Sequence, residues 1–326
     1  MASNHWLLAW LGLELNTLSI LPIMMKSGHP RTTEATTKYF ILQATAAACI
    51  LFASTTSAWQ TNQWSITHTN SQTAITFITI AIILKLGLAP AHTWYPEVLQ
   101  GVPMYTALLL STWQKLAPLA LLYMIQNNLS PMLTMTIGLL STAIGGWTGL
   151  NQTQTRKIMA FSSIAHTGWL LVALTMDPAL STVTMLMYLI TTTTMFIILA
   201  IATTKTINDM ATTWPTSPVL MTTTMFALLS LGGLPPLAGF MPKWLILKAL
   251  SQTNMTAIGT ALLMTSLPSL FFYARLAYLT MLTNPPTTTT TKFKWRFMPT
   301  PTQILAPTAT LTCLALPLAT VLYNTT

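Results

Sequence analysis

Long apolar runs, interrupted only by single prolines, glycines, threonines and isolated charges, occupy this sequence from end to end. They restrict the fold class more than any other feature. A helix needs about 20 residues to cross the hydrocarbon of a bilayer, and most of the runs reach that length. Charged residues form 6% of the chain against 52% hydrophobic, and mean hydropathy is +0.58, so a water-facing surface of the usual kind cannot be built from it. No run alternates with period two, which excludes a transmembrane β-barrel. The sequence therefore predicts an all-α polytopic membrane protein.

The runs place membrane-spanning segments near 5–25, 34–56, 73–94, 104–125, 130–149, 156–175, 179–203, 218–250, 256–281 and 304–323. Two of them are interrupted. Within 73–94, Lys85-Leu-Gly-Leu-Ala-Pro90 sets a glycine and a proline in the middle of a span, and within 218–250, SLGGLPPLAGFMPKW carries Gly232, Gly233, Pro235, Pro236, Gly239 and Pro242. Loop charge decides whether 218–250 crosses once or twice, because Lys and Arg collect on one face of the membrane. Counted as one broken helix, the segment leaves Lys26, Arg31, Arg156, Lys157, Lys205, Lys292, Lys294 and Arg296 in odd-numbered loops and no Lys or Arg in even-numbered ones. Counted as two, it moves the 292–296 cluster to the other face. The expectation is about ten transmembrane helices, two of them discontinuous, with both termini opposite the positive face.

A break in hydrocarbon frees backbone N–H and C=O groups, so each must face protein or water. Broken helices at matching places point to inverted repeats with an ion path at the midplane. On this reading, 1–125 holds a first, incomplete repeat of four spans, 130–281 a second repeat of five, and 282–326 a loop and a last span, all within one transmembrane domain.

Other classes are excluded quickly. The formal charge of +9 comes from 14 basic residues scattered between apolar runs, which is a topology signal and not a nucleic-acid surface. Cys49 and Cys313 lack the spacing of a zinc site, an iron–sulfur cluster or a redox pair, and read as packing residues. There is no GxGxxG, Walker loop or catalytic triad, and no metal or cofactor site is expected on this chain. The opening MASNHWLLAW has no basic n-region and runs on as the first span, not a leader. The 20 methionines and abundant threonine fit an organelle-encoded inner-membrane protein.

Ionisable groups inside a span cost about 2.5–3.5 kcal/mol each on insertion scales. The few that remain are Glu14, Lys85 at the first break, Lys115, His166 and Lys243 at the second break. Glu14 reads either as a structural carboxylate bolted to one lysine or as part of a proton relay, in which movement of the carboxylate switches a buried lysine between holding and releasing a proton. Lys85 is its expected partner. Lys115 has no acid on its own helix and sits about ten residues from either end, too deep to snorkel to the membrane surface. His166 fits a hydrogen-bonded core histidine as well as a relay. Lys38 pairs with Glu34 at i,i+4 and reads as structural, Lys248 and Arg275 as snorkelling or headgroup-facing, and His92 as a partner for carbonyls freed by the first break.

Six segments carry a resemblance: HWLLAWLGLELNTLSILPIM, HPRTTEATTKYFILQA, LKLGLAPAHTWYPEVLQG, TWQKLAPLALLY, GGWTGLNQTQTRKIMAFSSIAHTGW and LLSLGGLPPLAGFMPKW. Together they resemble, nearly end to end, the second-subunit family of animal mitochondrial NADH dehydrogenase, the antiporter-like subunits of respiratory complex I. The resemblance implies two inverted five-helix repeats and a midplane chain of proton carriers at Glu14, Lys85, Lys115 and Lys243. It implies a place in the mitochondrial inner membrane among other membrane-arm subunits, neighbouring antiporter-like ones included, with lipids such as cardiolipin around them. NADH, FMN, iron–sulfur clusters and ubiquinone would be handled by partner subunits. Family members usually begin with one more hydrophobic helix before the His-Trp found here as His5-Trp6, which accounts for ten expected crossings in place of eleven.

Overall fold

The structure is a computed structural model that describes residues 4–66, 71–213, 217–281 and 303–318. Fourteen helices follow one another among these residues: α1 Trp6–Met25, α2 Pro30–Thr61, α3 Gln72–Leu86, α4 Trp94–Gly101, α5 Met104–Ser111, α6 Trp113–Ile125, α7 Pro131–Gly149, α8 Thr155–Met176, α9 Pro178–Ala202, α10 Ile207–Ala211, α11 Pro218–Gly232, α12 Phe240–Gln252, α13 Thr256–Thr280 and α14 Leu305–Leu314. The only β pairing among them is two isolated bridges.

The polar residues between apolar runs start the helices. Proline opens α2, α7, α9 and α11 at a position whose N–H would lack a helical partner anyway. His5 and His29 accept the N–H groups of Leu7 and Arg31 at 3.3 and 3.2 Å and so cap α1 and α2. Threonine is tolerated inside the spans because its hydroxyl turns back to a carbonyl on its own helix, as Thr36 does to Thr33 (2.7 Å) and Thr192 to Tyr188 (2.6 Å). The hydroxyl proton is then satisfied within its own helix. Leu15, Ile41, Phe52 and Met264 instead stand exposed on the outer surface, as hydrocarbon permits.

Within the bundle, α7 and α8 approach most closely where glycine removes the side chain. A Cβ on Gly168 would lie 2.2 Å from Ser141 Oγ and 2.7 Å from the Gly138 carbonyl. Small residues at such a crossing let backbones pack without any hydrophobic drive, which lipid does not supply between helices.

The helix ends sort onto two faces as loop charge predicted. On one face, Thr155 N–H meets the Lys205 carbonyl (3.2 Å), Ile207 N–H meets Thr153 (3.0 Å), Arg156 donates to the Val102 carbonyl and Arg275 to the Leu150 carbonyl (3.2 Å). On the other, Trp6 N–H meets the Trp64 carbonyl (3.0 Å) and Thr253 lies against Met176. The pair α11–α12 starts on the first face and ends on the second, so 218–250 is one interrupted crossing. The pair α3–α4 likewise makes one crossing, and α4 continues to Gly101, past the expected end of that span at 94. One expectation needs correction: 104–125 is not a continuous helix but α5 and α6, joined at Thr112 with φ −110° and ψ −71°. The last span, expected over 304–323, is described as α14 with a 3₁₀ turn at Leu316–Leu318. The Lys292, Lys294 and Arg296 cluster lies outside the described residues.

Candidate functional site

The two expected breaks close in the same way. At the first, Gly87 adopts φ +68°, its N–H meets the Leu84 carbonyl (3.3 Å), and Leu88 N–H reaches back to Ile83 (3.1 Å). At the second, Gly233 adopts φ +80°, its N–H meets Ser230 (3.0 Å), and Leu234 N–H reaches Leu229 (3.3 Å). Both are Schellman endings, which need a residue free to enter the left-handed region. Each break places a lysine beside it.

Lys243, on the first turn of α12, folds back across the second break and donates from Nζ to the Gly232 carbonyl at 2.8 Å. It thereby satisfies an acceptor at the end of α11 and lies 6.0 Å from the centre of the Trp169 ring. Lys85 ends α3, and its backbone carbonyl accepts from Gln43 Nε2 (3.3 Å), while its Nζ is buried without a hydrogen-bond partner among the described residues.

Lys115 is 3% exposed and has no carboxylate beside it. Its Nζ donates to Tyr188 Oη (3.2 Å) and to the Ser163 carbonyl (3.4 Å), and stands 4.9 and 5.1 Å from the ring centres of Tyr95 and Tyr188. Aromatic faces and neutral oxygens thus hold the ammonium where no acid does. Two small cavities flank this point. One, of about 20 Å³, is lined by Lys85, Lys115, Tyr39, Gln43 and Gln114, and the other, of about 30 Å³, by Tyr188, His166, Thr191, Ser230 and Lys243. Lys115 opens onto the first and touches Tyr188, which opens onto the second. The three lysines therefore lie along one buried polar line.

His166 joins that line from α8: its Nε2 is 3.4 Å from Tyr273 Oη and its ring centre 6.0 Å from that of Tyr188. Glu14 is placed differently from the expectation that it meets Lys85. It stands near Lys85, yet no ion pair closes between them, and Glu14 Oε2 and Lys85 Nζ are both buried without a hydrogen-bond partner among the described residues. Glu14 is half-buried on α1 and does not line the first cavity, whereas Lys85 does.

Three residues were not singled out from sequence, two of them on this line. Tyr188 lies in the apolar run of α9. Gln114 accepts from Asn16 Nδ2 (2.9 Å) and Tyr39 Oη (3.4 Å), tying α1, α2 and α6 together beside Lys115. Glu97 joins Glu34 on Lys38, at 2.8 and 2.7 Å, so the expected structural pair is a triad on the outer surface. Polar residues one position from a mid-span lysine, as Gln114 is, were the available signal. His92 does what was expected, with Nδ1 3.1 Å from the Pro90 carbonyl.

This arrangement matches known proteins closely. Residues 3–269 match the family described as NADH:quinone oxidoreductase/Mrp antiporter, transmembrane, and residues 270–323 match the NADH dehydrogenase subunit 2 C-terminus. NADH-ubiquinone oxidoreductase chain 2 of Tetraodon nigroviridis is 51% identical over 317 residues, covering 97% of this chain and 91% of the relative. This chain belongs to the NADH dehydrogenase subunit 2 family. Chain 2 of Cyprinus carpio is 52% identical over 97% of this chain and 90% of its own length. Among solved structures, a chain of respiratory complex I from Thermus thermophilus superposes with a TM-score of 0.81 at 26% identity, covering 97% of this chain and 75% of that one. A chain of the archaeal membrane-bound sulfane sulfur reductase shares the fold, with a TM-score of 0.86 at 17% identity over 99% of this chain and 70% of that one. The antiporter-family match and the subunit 2 C-terminal match meet at 269–270, inside α13.

Proposed function

We propose that this chain is the proton-translocating, antiporter-like core subunit of a respiratory complex I, working in the mitochondrial inner membrane. As part of the membrane arm it serves an enzyme that couples NADH oxidation and ubiquinone reduction to proton pumping. The observation that carries the reading is Lys115, a buried cation with neutral partners that opens onto one cavity and touches the side chain that opens onto the other. A group that exchanges protons between two cavities needs that position. Lys85 and Lys243 flank it, His166 adds an imidazole to the second cavity, and Glu14 stands near Lys85 with no ion pair closed between them.

On this reading NADH, FMN, iron–sulfur clusters and ubiquinone belong to other subunits, which carry the redox chemistry. Neighbouring antiporter-like subunits and lipids such as cardiolipin would cover the exposed apolar belt. The matching Schellman endings support the division into repeats at 1–125 and 130–281, with 282–326 outside them.

The test is Lys115→Met in the assembled complex, with NADH oxidation and proton transport measured together. Fewer protons moved per NADH, with assembly retained, is the expected result; an unchanged ratio would count against the reading.

A further inference from the structure

Resting on that proton-path reading, we infer that the Tyr188 hydroxyl is the gate between the two cavities and that the Ser111 carbonyl holds it shut. The break at Thr112 sets this up. In an unbroken helix Lys115 N–H would bond to the Ser111 carbonyl four residues back, but here it turns to Thr112 (3.3 Å). The freed Ser111 carbonyl must find a donor in the low-dielectric interior. Tyr188, 4% exposed, supplies it with its only hydroxyl proton at 2.8 Å.

That single proton decides the traffic. Tyr188 Oη accepts from Lys115 Nζ at 3.2 Å while donating to Ser111. A proton entering from Lys115 can pass only if another leaves the same oxygen, and in this arrangement the leaving proton points at the carbonyl of Ser111, which lines neither cavity. Rotation about the Cζ–Oη bond turns it toward the second cavity, with no movement of the ring. An N–H bond of the Lys115 ammonium then breaks as an O–H bond forms on Tyr188, and the original hydroxyl proton passes to a water in the second cavity. Lysine becomes an amine, the water a hydronium, and the phenol is regenerated.

The titratable groups around Tyr188 are Lys115 on α6, Tyr95 on α4, His166 on α8, Tyr273 on α13 and Lys243 on α12, with no carboxylate among them. The gate is thus set by one hydrogen bond and not by an ion pair. The Ser111–Thr112 break, six residues before Pro118, acquires a role in the same step: without it the carbonyl would be spent inside the helix.

The experiment uses the assembled complex in sealed vesicles and compares Tyr188→Phe, Tyr188→His and Lys115→Met. Tyr188→Phe keeps the ring against Lys115 and His166 and removes only the hydroxyl. It is expected to lower protons moved per NADH to the ratio of Lys115→Met. Tyr188→His restores a proton-carrying group, and is expected to recover the ratio with a pH profile displaced to lower pH, since imidazole titrates roughly three units below phenol. A Phe variant with the wild-type ratio, or a His variant whose pH profile coincides with wild type, overturns the gate. If the Phe variant fails to assemble, the His profile alone decides. An unchanged ratio in Lys115→Met removes the proton path itself, whereas a lowered ratio there with a wild-type ratio in Tyr188→Phe removes only the gate.

Discussion

Lys243 Nζ occupies the space that a side chain on Gly233 would need: a Cβ built there lies 2.9 Å from the nitrogen, on a backbone with φ +80°. The turn that ends α11 and the cation that covers its carbonyl are therefore one device.

Gly233→Ala is expected to disrupt it. An L residue in the left-handed region costs roughly 1–2 kcal/mol before any clash is counted, and the new methyl group displaces Lys243 from the Gly232 carbonyl. Gly232→Ala, one position earlier in α11, meets nothing nearer than Tyr273 at 3.9 Å and is expected to be tolerated. Complex yield and thermal denaturation of the two variants check the contrast; equal behaviour would count against the packing argument.

Lys243→Met removes the same contact from the other side. The Gly232 carbonyl then loses a charged donor, a change of about 1–3 kcal/mol, which a subunit held by many helix contacts is expected to survive. Proton transport is expected to fall more than assembly. Normal transport by a normally assembled variant would take Lys243 out of the path.

Glu14 and Lys85 separate a relay from a bolt. A bolted ion pair loses about 3–5 kcal/mol when one partner is neutralised, but no pair is closed here. Glu14→Gln is therefore expected to assemble while slowing coupled transport, and adding Lys85→Met is expected not to restore transport. A double variant that assembles and pumps normally would refute the relay.

Topology is open to labelling. Single cysteines at Ser27 and Asn151, both exposed, are expected to react from one side of the membrane, and cysteines at Gln63 and Gln252, also exposed, from the other. Lys26 and Lys292 are expected to share the first side. Labelling of Ser27 and Gln63 positions from the same face would require a different count of crossings.

Hydropathy, loop charge and the Gly and Pro positions were enough to give the spans, the single interrupted crossing at 218–250 and the lysines at both breaks. The physical reason is that hydrocarbon tolerates neither an unpaired backbone group nor an isolated charge, so each exception to an apolar helix is visible in one dimension. The Thr112 break left no such mark, because threonine enters helices elsewhere in this chain and the nearest proline, Pro118, lies six residues on, inside α6.

Which groups meet was decided by tertiary structure alone. Reach between two helices depends on how far each is rotated about its axis and how deep it sits, and an apolar run fixes neither. Sequence thus named Lys115 as buried but could not assign it Tyr188, and it paired Glu14 with Lys85 as the sole mid-span acid beside the nearest break. The packed bundle left Glu14 and Lys85 without a closed ion pair and brought Tyr188, from the apolar run of α9, onto Lys115.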